Sequence, residues 1–300
     1  MKNSQVKNFL LLLLLSSLWG PSFLFIKVAV EYVEPFTITT FRVGVASLLL
    51  YTVLKFKKIN LPKFGLIWKH FAVMAIFGSG LPFALFNIGE QYVSSSLAAI
   101  LNGTVPLFTL IIAHFATKND RLTKAKFYGA IIGFVGLLIL VLPSLIGVKA
   151  TLFGIIAILA ATASYAIGFV YSKKYIIGIK PLVASTSQLF LATLFLLPLA
   201  LIFENPSSII SAPNKAILSI LGLSILGTAF AFILFYKIMD LTSATYVSMV
   251  NYMVPIFGVI LGIVVLGERL SWNSALGCLV ILMGVMIANG VFTKIKFKHN

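Results

Sequence analysis

The sequence predicts an all-α polytopic membrane protein. Ten transmembrane helices form two five-helix repeats of inverted topology, with both termini cytoplasmic. Three observations lead there. Of 300 residues, 60% are hydrophobic and 10% charged, against about 25% charged in a soluble domain, and the mean hydropathy is +1.08. The apolar residues fall in ten continuous runs. A set of uncommon residues recurs in one order at a spacing of about 148 residues.

The runs occupy roughly 9–28, 35–54, 68–89, 95–117, 127–145, 151–171, 181–203, 216–238, 243–266 and 273–293, each near the ~20 residues that cross a hydrocarbon core as a helix. They are continuously apolar, without the alternation of a barrel strand. A backbone in lipid must satisfy its own hydrogen bonds, which forces helices. Lys2 and Lys7 precede the first run as in a signal peptide, but no small-x-small cleavage site follows, and apolar character continues through Trp19 to Val30. The expectation is a retained first span. Pro35 opens the second. Charged residues bound the rest, and no gap is long enough for a soluble domain. The single cysteine, Cys278, lies in an apolar run and permits no intrachain disulfide.

The net charge of +16 does not point to nucleic acid, because the cations occupy the gaps between runs. With the N-terminus inside, eighteen fall inside: Lys2, Lys7, Lys55, Lys57, Lys58, Lys63, Lys69, Lys118, Arg121, Lys124, Lys126, Lys173, Lys174, Lys180, Lys237, Lys294, Lys296 and Lys298. Lys149, Lys215, Arg269 and Lys27 fall outside, and Arg42 falls within a span. The excess of loop cations on the cytoplasmic side sets the orientation. Glu31, Glu34, Glu90, Glu204 and Glu268 lie outside, and Asp120 and Asp240 inside.

The repeat pairs Asn102 with Asn251, Pro106 with Pro255, Asp120-Arg121-Leu122 with Glu268-Arg269-Leu270, Gly129 with Gly277 and Gly136 with Gly284. Upstream, Pro35 pairs with Pro181 and Gly78 with Gly227. Shared Leu and Ile would mean little, but Asn, Pro, acid-Arg-Leu and Gly in one order mean repetition. The halves divide as 1–146 and 147–300. Five spans per half turn the second half upside down, an arrangement common in secondary transporters, with the substrate site near the midplane between the halves.

With Trp19-Gly20 in span 1, Pro35 to Arg42 in span 2, and Pro255, Gly267-Glu268-Arg269-Leu270, Gly277 and Gly284 in the last two spans, the chain resembles the drug/metabolite transporter superfamily, in its ten-helix branch with two EamA domains. The first copy departs from that pattern at Lys118-Asn119-Asp120. The resemblance implies transport of small organic solutes, often amino acids or related metabolites and often outward, in a bacterial cytoplasmic membrane. Import of a metabolite or nucleotide-like solute is the alternative. A membrane enzyme or sensor is a weaker reading, since no catalytic cluster and no output domain is visible.

Candidate site residues follow from the cost of polarity in lipid. Arg42 lies about seven residues into span 2, roughly 10 Å deep. A charge there needs a cavity or a partner. It would hold a substrate carboxylate or phosphate, unless it snorkels or pairs with Glu31, Glu34 or Glu90. Its repeat counterpart is Gln188. Pro106 and Pro255 each free the carbonyl four residues back, on Asn102 and Asn251. These pairs are read as hinges or polar handles, or as plain kinks. Trp19, Asn87, Tyr165, Tyr246 and Tyr252, with Phe86, are cavity candidates with a few polar groups, or helix packing; Phe23 and the other phenylalanines are left as packing or lipid-facing. Lys27 reads as snorkelling to the outer surface. No carboxylate lies in the middle third of a span, which disfavours coupling through a buried acid and leaves Glu90 and His114 as weak coupling candidates. Gly133, Gly136, Gly277 and Gly284 read as close helix packing. No P-loop and no metal-ligand spacing occurs, so no cofactor and no metal is expected. The expected partners are a small-molecule solute and the bilayer, not nucleic acid. No GxxxG-type face stands out as an oligomer contact.

Overall fold

A computed structural model describes residues 2–118, 120–142, 151–266 and 272–288. Among these residues the chain is all-helical. Helices α1 (Lys2–Trp19) and α2 (Ser22–Ala29) form one span interrupted at Gly20-Pro21, and α3 (Pro35–Phe56) follows. Next come α4 (Leu66–Ala75) and α5 (Leu81–Tyr92), joined through a π-helical segment at Ile76–Gly80. Then α6 (Ser95–Asn102) and α7 (Val105–Ala116) are separated by one turn, and α8 (Lys124–Val141) ends the first half. The second half runs α9 (Leu152–Tyr175), α10 (Pro181–Phe203), the short α11 (Ser208–Ser211), and α12 (Asn214–Ser224) with α13 (Ala231–Leu241), joined by a second π-helical segment at Ile225–Phe230. It closes with α14 (Ala244–Ser248), α15 (Val250–Leu266) and α16 (Trp272–Ala288).

Among the described residues, eight helical stretches are long and apolar enough to cross a membrane, the longest being Asn214–Leu241, and the 17-residue Trp272–Ala288 is a shorter apolar helix. The protein is a multi-pass membrane protein. The expected Glu268-Arg269-Leu270 loop and Lys149 lie outside the described residues.

Local chemistry explains the interruptions. Pro21 has no N–H for the carbonyl of Ser17, so the first span breaks there. Pro82 likewise cannot serve the carbonyl of Gly78, and the chain loosens into the first π-helical segment. The break in the fourth span falls at Gly103-Thr104, between Asn102 and Pro106, and Pro106 sits in the first turn of α7, where its missing N–H is harmless. Pro255, in contrast, is inside α15, and the break precedes Asn251, at Met249. The expected kinks are therefore breaks on the N-terminal side of each proline.

Two antiparallel pairs join the halves. Along one seam α8 meets α16 through glycine: a Cβ on Gly136 would lie 2.5 Å from the backbone nitrogen of Ile281, and one on Gly284 would lie 2.3 Å from that of Gly133. Only backbone hydrogen fits such an approach, and small residues allow it in membrane bundles. Tyr252, fully buried, lies over Gly133 and donates its hydroxyl to the carbonyl of Ala130 at 2.9 Å. In the other pair α3 lies against α10. The Glu204 carboxylate at the end of α10 caps α3, accepting from the Phe36 N–H at 2.9 Å, the Thr37 N–H at 2.7 Å and the Thr37 hydroxyl at 2.9 Å, where a negative charge meets the positive end of the helix. Glu34 accepts from the Ser208 hydroxyl nearby.

The opposite, lysine-rich end is pinned by other acids. Asp120 accepts from the Lys126 ammonium at 2.6 Å, and from the N–H and hydroxyl of Thr245 at 2.9 and 3.0 Å. Asp240 accepts from the Gly178 N–H, and Lys173 donates to the carbonyl of Met239. Burial alone would push the Asp120 carboxyl up, but Lys126 and Thr245 outweigh it and hold it below its ordinary value.

Two expectations follow. Gly136→Val should separate α8 from α16, lowering the melting temperature of the purified protein by the equivalent of about 1–3 kcal/mol, read by size exclusion after heating. Asp120→Asn should lower stability at neutral pH by about 2 kcal/mol, the scale of a charged hydrogen bond. Because the folded carboxyl titrates below the unfolded one, that stability is present above about pH 4 and is lost as the pH falls through the folded value. Melting curves of the two proteins should therefore converge only below about pH 4.

Candidate functional site

A cavity of about 50 Å³ lies between the halves, lined by Trp19, Ser22, Phe23, Ile26, Arg42, Phe83, Phe86, Asn102, Tyr165, Phe169, Asn251 and Val254. It draws on α1, α2, α3, α5, α6, α9 and α15. Apolar lining with a few polar groups is the usual make-up of a small-molecule site. The space holds roughly three or four waters at ~10–15 Å³ each, so a metabolite enters only if the helices around it part.

Arg42 is 3% exposed. Its Nε donates to the Thr228 hydroxyl at 2.8 Å, and its guanidinium lies 3.6 Å over the ring of Phe83. One terminal nitrogen reaches the carbonyl of Gly227 at 3.5 Å. Both acceptors belong to the second π-helical segment, where Thr228 in turn donates to the carbonyl of Leu223. Ring and hydroxyl stabilise the cation without neutralising it. The alternative, pairing with Glu31, Glu34 or Glu90, is not formed: among the described residues the one ion pair is Lys126 with Asp120. A buried guanidinium has five N–H donors, and Arg42 is left with spare ones beside the cavity.

Trp19 ends α1 at the break, and its indole donates to the same Gly227 carbonyl at 3.0 Å. Asn102 donates from Nδ2 to Oδ1 of Asn251 at 3.1 Å, and Asn251 donates to the carbonyl of Ser248 at 2.8 Å. The two amides thus meet across the halves rather than capping their own loosened carbonyls. Tyr165 packs its ring on Phe83, Phe86 and Phe169.

Five other candidate residues are not part of this lining. Gln188 donates to the Ser79 hydroxyl at 3.1 Å and accepts from the Tyr236 hydroxyl. It reaches the first π-helical segment as Arg42 reaches the second. Asn87 donates to the Thr39 hydroxyl at 2.8 Å and to the carbonyl of Pro35 at 3.2 Å. Tyr246 is partly buried in the main core, and Tyr252 packs on α8. His114 accepts from the Leu122 N–H at 3.3 Å, tethering the loop after α7.

Lys27, at the end of α2, donates to the carbonyls of Glu90 and Val93 at 2.8 and 3.3 Å, at the end of α5. One placement corrects the sequence reading. Glu90, counted among the outer loop acids, is fully buried. Ser22, Phe23, Ile26, Phe83, Phe169, Val254 and Thr228 are the residues that sequence reasoning passed over. A signal existed for two of them. Extending the Gly78–Gly227 pairing by one residue aligns Ser79 with Thr228, and by five aligns Phe83 with Phe232.

The profile of the EamA-like transporter family matches residues 7–142 and 152–290. An uncharacterized transporter of Archaeoglobus fulgidus is 27% identical over 94% of this chain and 98% of its own. The uncharacterized transporter YoaV of Bacillus subtilis is 27% identical over 97% of this chain and 100% of its own. A crystal structure at 17% identity superposes with a TM-score of 0.78 over 97% of this chain and 99% of that one, a likeness of fold.

Thr228→Val removes the hydroxyl that receives Arg42 while keeping its shape. The buried donor left behind should cost about 1–3 kcal/mol. The melting temperature should fall clearly below that of Thr228→Ser, which keeps the hydroxyl.

Proposed function

Because the chain belongs to the EamA-like transporter family, we propose that this membrane transporter is a secondary carrier of small carboxylate-bearing metabolites, amino acids or their relatives, working by alternating access. The observation that carries the substrate class is Arg42, a buried guanidinium beside the cavity that meets a hydroxyl, a carbonyl and a ring but no carboxylate among the described residues. A desolvated guanidinium favours a carboxylate, which it binds through two parallel hydrogen bonds. Ser22, whose buried hydroxyl has no partner, lines the same cavity.

The mechanism rests on two inverted repeats and ten spans, with both termini in the cytoplasm. Supporting it, α3 and α10 both begin on proline, two π-helical segments recur at Gly78 and Gly227, and two broken helices place Asn102 against Asn251. Trp19, Tyr165 and the two asparagines serve as substrate contacts. The breaks before Pro106 and Pro255 serve as hinges, since the amide contact between them changes when the halves rock. Gln188 and Asn87 hold the π-helical segment and α3 from behind, and Tyr246 and Tyr252 brace α14 and α15. The lysine-rich end faces the cytoplasm of a bacterial inner membrane. Efflux is the direction the resemblance implies.

The test is a melting screen of purified protein against amino acids, organic acids, sugars and nucleosides. A ligand of the folded state raises the melting temperature by mass action. A carboxylate-bearing solute should give the shift, and Arg42→Ala should abolish it and cut flux in liposomes at least tenfold. Wild-type flux through a well-folded Arg42→Ala protein would overturn the carboxylate assignment.

A further inference from the structure

The Glu90 carboxyl is enclosed where nothing answers it. It is fully buried, and among the described residues neither carboxyl oxygen has a hydrogen-bond partner. Every other described acid is exposed or partnered. Glu31 is exposed; Glu34 accepts from Ser208, Glu204 from the start of α3, Asp120 from Lys126 and Thr245, and Asp240 from Gly178. Glu90 lies on α5 one helical turn after Phe86 and three residues before Val93, the extended residue that caps the helix. Both belong to the apolar cluster that includes Ile26, Ile38, Ile158 and Ile220 from four further helices.

The charged groups facing Glu90 are Lys27 from α2 and Arg42 from α3. From α9, Tyr165 stands by Arg42 and the ring of Phe86. Neither cation is within ion-pair distance. Lys27 gives its hydrogen bonds to the backbone carbonyls of Glu90 and Val93, not to the carboxyl group. The buried amide oxygen of Asn87, one turn back, is also without a donor. A carboxylate so placed would be desolvated without compensation, and such a group neutralises instead. The one species that neutralises it without further ligands is a proton.

We propose that Glu90 is a proton-binding site, neutral in this conformation, and that assembling the apolar cluster over it takes up one proton. The proton comes from water at the glutamate-rich end of the bundle and is carried on a carboxyl oxygen. When the cluster parts and water reaches the group, the proton is released. Closure at that end is therefore favoured by acid on that side, a linkage that the carboxylate binding at Arg42 does not require.

The experiment uses purified full-length protein in liposomes and infrared difference spectra as the pH is stepped from 5 to 9, with no solute needed. The wild type should keep the carbonyl stretch of a protonated carboxyl at neutral pH. Glu90→Gln should lack it, and Glu90→Asp should keep it at a shifted frequency. The wild-type melting temperature should fall with rising pH relative to Glu90→Gln, because a group buried neutral loses its stabilisation as it ionises. Absence of the band from the wild type at neutral pH overturns the proposal, whatever the variants do. So does an equal band in Glu90→Gln. Replacing sodium by choline at fixed pH should leave the melting temperature unchanged; a sodium-dependent rise lost in Glu90→Gln would make this a sodium site instead.

Discussion

The buried guanidinium of Arg42 sets the terms for the middle of this protein. A cation amid apolar helices needs acceptors that ordinary helices do not offer, because their carbonyls are already bonded. The π-helical segment at Ile225–Phe230 supplies them, in the Gly227 carbonyl and the Thr228 hydroxyl. Phe83 covers the remaining face, and Trp19 binds the same carbonyl from α1. One irregular turn thus joins α1, α3 and the α12–α13 helix, and orients two cavity residues at once.

The counterpart on the other side is Gln188 on the first π-helical segment, through Ser79. Each long helix of the α3–α10 pair therefore reaches across to a loosened turn in the opposite half. The α8–α16 seam contributes rigidity of another kind. Its glycines bring backbones into contact, so dispersion over a long interface holds the pair. Around the cavity the contacts are of a weaker kind, an amide pair and tilted or edge-on rings.

Much of this was legible in the residues. Hydropathy located the helices because lipid leaves the backbone no other solution. Asn102 and Asn251 stood out because an amide beside a proline is uncommon in a span, and they do meet. Gly136 and Gly284 stood out because small residues let helix backbones approach, and they lie in the seam. Glu90 was misplaced because hydropathy sees only that a run is ending. It does not see that α5 continues to Tyr92, with α2, α6 and α9 packed around it. The partners of Lys27 were not legible either, since they are carbonyls 63 and 66 residues away in sequence. For Tyr252 cavity lining and helix packing both stayed open, because its ring looks the same in sequence whether it faces a void or a glycine.

The sequence by itself determined the all-helical, membrane-spanning character, the recurrence of Asn, Pro and Gly at matching places, and the presence of one deep cation. Those follow from local rules: apolar length, missing proline N–H groups and the cost of charge in lipid. The tertiary structure decided which polar groups share the cavity, which serve behind it, and that Glu90 is sealed while Arg42 borders free space. Such distinctions depend on which face of each helix turns toward which neighbour. That is set by the packing of many side chains together, and no single stretch of the chain encodes it.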